Sequence, residues 1–221
     1  DVRVVVLTGA GHGFCSGADL EDSGIVPNID GLTVTSIARR ALQLLDDVIL
    51  AIRKMHQLVI AAINGAAIGG GFCLACACDI RLAAPSAYFR AAGINNGLTA
   101  SELGISYLLP REVGSSRAFE IMLSGRDVEA EEAERIGLVS RVVEGDALLE
   151  DCYALARRII GFSRVGVEVT KRMLWSSLDA ASLHAHMDHE GIAQLYVRLT
   201  TQNFEEAVRA RKEKRAPEYR D

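Results

Sequence analysis

No apolar run in this sequence approaches the roughly 20 residues that cross a bilayer as a helix, so a membrane-spanning segment is not expected. No leader with a basic start and an apolar stretch is visible at the amino end. An excess of basic residues is missing too. Lys and Arg number 24 against 29 Asp and Glu, a net charge of −5, which argues against a general nucleic-acid binder. Neither an internal repeat nor linker composition interrupts the 221 residues, of which 49% are hydrophobic and 24% charged, as suits one globular domain with a sizeable core. The cysteines, Cys15, Cys73, Cys76, Cys78 and Cys152, are odd in number. On a helix Cys73 and Cys76 share a face while Cys78 points elsewhere, and no fourth ligand lies nearby, so no metal site is expected. They read as small core residues of a reduced, cytoplasmic protein. His184, His186 and His189 fall in a polar helical segment and are expected to be solvated.

What the sequence does have is concentrated in Asn64–Asp79, NGAAIGGGFCLACACD. The run Leu58–Ile63 before it is short, apolar and rich in β-branched residues, which predicts a buried strand. Asn64-Gly65 turns the chain. Gly69, Gly70 and Gly71 then lead into an apolar helix over Phe72–Cys78 that Asp79 closes. A strand, a glycine turn and a helix start bring several bare N–H groups to one point, where partial positive charge attracts an oxygen bearing negative charge. Glycine removes the side chains that would block its approach. An oxyanion pocket and a merely tight strand-to-helix turn both fit this stretch.

The amino end, DVRVVVLTGAGHGFCSGADL, predicts a strand over Val2–Leu7 and a loop of small residues ending Phe14-Cys15-Ser16-Gly17-Ala18-Asp19-Leu20. The two stretches together resemble the crotonase (enoyl-CoA hydratase/isomerase) superfamily, whose pattern is F-C-x-G-A-D-L followed by A-A-I-N-G-x-x-x-G-G-G. The resemblance continues through Ser106–Gly114, Leu123–Val143 and Glu213–Tyr219, and so covers nearly the whole chain. It implies an α/β fold, a crotonase-like ββα spiral core over residues 1–143 with a C-terminal helical trimerisation region over 144–221. The family carries further strands and a helix, with part of its CoA-binding surface, before the strand seen at Val2. The resemblance also implies that the backbone N–H groups of Ala18 and Gly70 hold the oxyanion of a CoA-thioester enolate. Substrate contact is implied at Ser16, Asp19, Leu20, Gly69, Cys73, Gly93 and Lys214.

The rest of the chain reads in order. Glu21–Gly31 is a loop, and Thr33 or Thr35 caps a long helix whose buried face is Ile37, Ala41, Leu44, Leu45, Val48 and Ile52. Ile80–Ala84 and Tyr88-Phe89 read as strands, and Ala91–Ser101 as a loop or lining segment. Pro110 restarts a helix. Helices follow over Gly114–Leu123 and Asp127–Ile136, Ser140–Val143 is a short strand, and helices fill Ala147–Phe162, Val165–Leu178, Leu183–Leu199 and Gln202–Arg215.

Hydratases of the family use two glutamates, and here the matching positions hold Cys73 and Gly93, neither of which can activate water. A third family position is acidic. Glu102 aligns with an aspartate of dienoyl-CoA isomerases and with the nucleophilic aspartate of 4-chlorobenzoyl-CoA dehalogenase. Its neighbours Leu98, Ala100, Leu103 and Leu108 make it a candidate pocket carboxylate; taken alone it also reads as an exposed acid at a helix start. From Arg209 to Asp221 six basic residues face three acids, and Lys214 suits the family's basic residue that approaches CoA on a neighbouring subunit. The expectation is an enzyme acting on an acyl-CoA thioester, isomerase or lyase more than efficient hydratase. It needs no cofactor beyond the CoA of its substrate, and assembles as a trimer or a dimer of trimers. A non-catalytic acyl-CoA binder that kept the pocket is the alternative, and a dehalogenase-like reaction a third.

Overall fold

The computed structural model of the chain describes residues 2–21 and 25–220. It opens with β1 (Val4–Thr8), and a loop leads to α1 (Val34–Lys54). Residues 22–24 of the expected Glu21–Gly31 loop lie outside the described residues. Thr33 caps α1 by accepting from the Ser36 N–H at 3.3 Å, and Arg53 and Lys54 occupy the last turn, where the helix dipole favours cations. Then come β2 (Leu58–Ile63), β3 (Ala66–Ile68), α2 (Gly70–Ala77), β4 (Ile80–Ala83) and β5 (Tyr88–Arg90). They are followed by α3 (Ile105–Val113), α4 (Ser115–Ser124), β6 (Val128–Glu129), α5 (Ala130–Arg135) and β7 (Arg141–Val142). The carboxyl end is helical: α6 (Leu148–Ile160), α7 (Arg164–Ser177), α8 (Leu183–Thr200) and α9 (Asn203–Glu213). No helix among the described residues is long and apolar enough to cross a membrane.

One sheet has the order β1-β2-β4-β7, with β2–β4 and β4–β7 parallel, and Ile60 opposite Ile80 sets the register. The other has the order β3-β5-β6, parallel and then antiparallel. Every residue of β2 after Leu58 is buried, as a parallel strand covered on both faces requires. Phe72 of α2 meets Phe89 of β5 at a ring-centroid distance of 5.3 Å, and both are fully buried. Each such side chain stabilises the fold by about 1.5–3 kcal/mol. Arg81 in β4 pins this layer. It donates to the carbonyls of Ala75, Cys78 and Leu138 and lies 3.2 Å from Glu112 of α3. Burial raises the Glu112 carboxyl above its ordinary value, and the Arg81 charge opposes that rise.

Several expectations need correction. On α1 Ile49 is the buried residue, whereas Leu44, Leu45 and Val48 are exposed. Apolar residues run round more than one side of this helix, so periodicity alone does not choose between faces. Pro110 sits inside α3 and does not restart a helix; in a helix this short the missing N–H costs one hydrogen bond. Asp79 does not close α2, because its carboxylate accepts from the Val59 N–H at 2.7 Å and so clamps the start of β2. The helix expected from Asp127 begins at Ala130. Asp127 takes two hydrogen bonds from Arg90, at 2.5 and 2.6 Å, and Val128-Glu129 pairs with β5. His186 is buried where solvation was expected, while His184 and His189 are exposed. The cysteines are free, and all but Cys15 are buried.

The chain forms two compact units. The larger comprises Val6–Met55 and Val59–Cys152, the smaller Asp1–Val5, His56–Leu58 and Tyr153–Asp221. The division between them on the carboxyl side falls within α6. In the smaller unit Lys171 is buried, with Nζ donating to the Gln57 carbonyl at 2.7 Å, and Arg3 donates to the carbonyls of Ile160 and Phe162.

Glu206 of α9 ties down the chain that follows the helix. It accepts from Arg215 at 2.6 Å and from the Glu218 N–H at 2.9 Å, and these bonds lower its pKa to about 2 from an ordinary 4.5. A lowered carboxylate pKa means stabilisation present above pH 4.5 and lost as pH falls toward 2. Glu206→Gln is therefore expected to speed hydrogen exchange at the Glu218 amide at neutral pH. Unchanged exchange would mean the tail is held by other contacts.

Candidate active site

Asn64, at the end of β2, organises the first wall of the site. Its amide nitrogen donates to the carbonyls of Gly9, Gly11 and Gly13, and its side-chain oxygen accepts from the Gly9 N–H. One side chain thereby folds a loop that has few side chains of its own to hold it. Phe14 and Cys15 then donate to the Ala66 carbonyl, and Ile68 donates to Cys15, so the loop joins β3 as a parallel bridge.

This pairing brings the loop onto the glycine turn. A Cβ on Gly17 would lie 3.4 Å from the Gly70 nitrogen and 2.9 Å from the Ile68 carbonyl. A Cβ on Gly71 would come within 2.0 Å of the Cys15 carbonyl, so only glycine permits the approach. Gly69 is the N-cap of α2 at φ 53, where glycine carries no Cβ penalty. Its N–H is spent on the Arg90 carbonyl. Gly70 begins the helix, and among the described residues neither its N–H nor that of Ala18 has an acceptor. Ser16, Ala18, Asp19 and Leu20 are exposed along the loop.

Glu102 closes the other side. Its Oε1 would be 3.5 Å from a Cβ on Gly69, with Ala92 at 3.8 Å, and Leu103 Cδ1 would be 3.6 Å from a Cβ on Gly70. The carboxylate is half-buried, and that desolvation raises its pKa. Cys73 lies beneath it, 1% exposed, its thiol donating to the Glu102 carbonyl at 3.6 Å. Burial first, and then the Glu102 charge, push that thiol up to about 12. Cys73 is thus a protonated, buried thiol. Gly93 is buried as well, and a Cβ there would stand 2.0 Å from the Thr99 carbonyl. Of the apolar neighbours expected for Glu102, Ala100 and Leu108 are buried but Leu98 is exposed. Lys214, the C-cap of α9 at φ 54, is exposed in the smaller unit. Leu103, expected as an apolar neighbour of Glu102, also stands against Gly70, and Ala92 lies against Gly69 with no signal in the sequence to announce it.

A family model described as enoyl-CoA hydratase/isomerase matches residues 1–221. The chain belongs to the enoyl-CoA hydratase/isomerase family. Among relatives of the family, it is 70% identical to the probable enoyl-CoA hydratase echA12 of Mycobacterium bovis over 220 residues, spanning 100% of this chain and 77% of that protein. A crystal structure of a probable enoyl-CoA hydratase/isomerase from Mycobacterium abscessus is 68% identical, with a TM-score of 0.94 over 99% of this chain and 82% of that one. The fold is the one the resemblance implied, a mixed α/β core with a helical carboxyl end. A monofunctional enoyl CoA isomerase from M. smegmatis is 62% identical, with a TM-score of 0.69 over 84% of this chain and 76% of that one.

Proposed function

We propose that this family member isomerises enoyl-CoA thioesters, moving a double bond from the β,γ to the α,β position, and that it hydrates them poorly. The carrying observation is the Glu102 carboxylate beside Gly69 at the start of α2, together with the absence of a carboxylate at Cys73 and Gly93. Glu102 takes a proton from the α-carbon of the thioester, and the electron pair moves onto the carbonyl oxygen. The Ala18 and Gly70 N–H groups hold that oxygen as it gains charge, each donor being worth roughly 3–4 kcal/mol in such sites. Glu102 then returns the proton to the γ-carbon as the carbonyl re-forms, so one carboxylate serves both steps and no water is consumed. No cofactor is required, since the CoA belongs to the substrate.

The isomerase named for M. smegmatis supports this reading. So does the raised pKa of Glu102, which places the acid limb of the rate profile above the ordinary carboxylate range. The test offers purified protein a panel of β,γ-enoyl and α,β-enoyl thioesters and separates isomerised from hydrated product. Hydration at the rate of a glutamate-pair enzyme would overturn the proposal; tight thioester binding without turnover would favour a non-catalytic binder.

The same reading extends to assembly. α8 exposes Leu183, Met187, Ile192, Leu195 and Leu199, and α1 exposes Leu42, Leu45 and Val48, more apolar surface than a solitary chain tolerates well. A trimer-based homo-oligomer is expected by sedimentation at micromolar protein. A monomer alone at that concentration would count against it.

A further inference from the structure

The turn that carries Glu102 breaks a local rule. Residues 102–105 form a tight turn closed by the Ile105 N–H donating to the Glu102 carbonyl at 2.9 Å, with φ of 46 at Leu103 and 80 at Gly104. Positive φ at both central residues is the province of Gly, Asn and Asp. A leucine in the first of these places is strained by roughly 1–3 kcal/mol, and such strain collects where function fixes the side chain. Gly104 obeys the rule and Leu103 does not. The Glu102 carbonyl is gripped from two directions, by Ile105 and by the Cys73 thiol, so the corner is rigid.

The leucine side chain has a use there. Cδ1 would approach within 3.6 Å of a Cβ on Gly70, which sets an isobutyl group against the helix start whose N–H has no acceptor among the described residues. Glu102 Oε1 stands over the adjacent Gly69. Asparagine or glycine at position 103 would relax the turn and leave that spot open to water.

We propose that Leu103 is a specificity-determining and positioning residue: held in a left-handed corner, its side chain shields the space between the Gly70 N–H and the Glu102 carboxylate from water, so that the bound dienolate is reprotonated at carbon by Glu102 and no water adds across the α,β double bond of the product thioester. The inference rests on the isomerase reading and deepens it by naming what suppresses hydration. The half-burial of Glu102, with desolvation the cause of its raised pKa, agrees with a carboxylate sheltered in this way. Cys73 is the titratable neighbour on the α2 side, and its thiol stays protonated.

Leu103→Gly and Leu103→Asn both suit positive φ and both remove the cover. Each is expected to raise the ratio of hydroxyacyl to isomerised thioester several-fold, with KM changing less than that ratio. In each, carbon-13 titration of the Glu102 carboxyl should move its pKa down toward the ordinary range, as water reaches it. A merely structural leucine would leave both readouts at parental values in the folded variants, and that result overturns the inference. Glu102→Gln in the same assay separates the two claims. If it abolishes isomerisation while Leu103→Gly changes neither ratio nor titration, the isomerase reading stands and this inference fails. If Glu102→Gln retains full activity, the reading itself fails. Should no thioester be turned over, the isomerase reading is lost and the titration alone decides whether Leu103 shields the carboxylate.

Discussion

Glutamine in place of Glu102 is expected to slow double-bond migration by ~10²–10⁴, the usual contribution of a positioned general acid/base. The substitution keeps the size of the side chain beside Gly69 and removes only its basicity, so the fold should not change. Thioester affinity should survive, because the proposed oxygen contacts are the backbone N–H groups of Ala18 and Gly70. The loss should therefore fall on kcat and leave KM near the parental value, the pattern of an interaction made in the transition state. Cys73→Ala is the control. Its thiol is buried and raised to about 12, so no thiolate chemistry is available at neutral pH, and turnover should stay near the parent's. Intact turnover in Glu102→Gln with loss in Cys73→Ala would show that the wrong residue had been assigned.

Restoring a glutamate at position 93 should not restore hydration, and should damage the fold. Gly93 is closed in by its own loop: its carbonyl accepts from the Leu98 N–H at 2.9 Å and from Asn96 at 3.1 Å. The Thr99 carbonyl occupies the space a Cβ needs, 2.0 Å away. Any side chain must push that backbone aside, and forced overpacking of this kind typically costs about 1–3 kcal/mol. For a chain of this size each kcal/mol lowers the melting temperature by about 2–4 °C. Calorimetry on Gly93→Glu should thus show a clear drop, and product analysis no gain in hydroxyacyl thioester. A stable, hydrating Gly93→Glu protein would mean that the loop adapts and that only the carboxylate was missing.

The site was legible where chemistry is written in the backbone. Glycines at 69, 70 and 71 after an apolar strand announce a close approach, and that approach is present. Caps and stops were legible for the same reason: Thr33 caps α1, and Gly125 and Gly137, both at positive φ, end helical stretches. What could not be read was whatever depends on a distant partner. β3 is three small or apolar residues whose strand character comes from pairing with Cys15 and β5. Asp127 belongs to Arg90 and Asp79 to the Val59 N–H, so neither takes the local role its sequence position suggests. Leu103 is the sharpest case. Its left-handed conformation contradicts its own preference and is imposed by the turn around it.

The parallel pairing of β4 with β7 has a consequence for how the chain is made. Leu82 and Ala83 meet Arg141 and Val142, so one edge of β4 has no neighbour until far more sequence has been synthesised. Contacts this distant along the chain form late, because loop closure must precede them. Meanwhile β4 can pair with β2, its nearby partner in sequence, while its other edge offers unpaired backbone groups to neighbouring nascent chains. β7 is two residues long, yet the Ser140 and Val143 N–H groups also bond to Arg81 and Ala83, both at 2.8 Å. That short segment is the fold's late seal, and a ribosome stalled just before Ser140 would display an edge of β4 that the finished protein pairs.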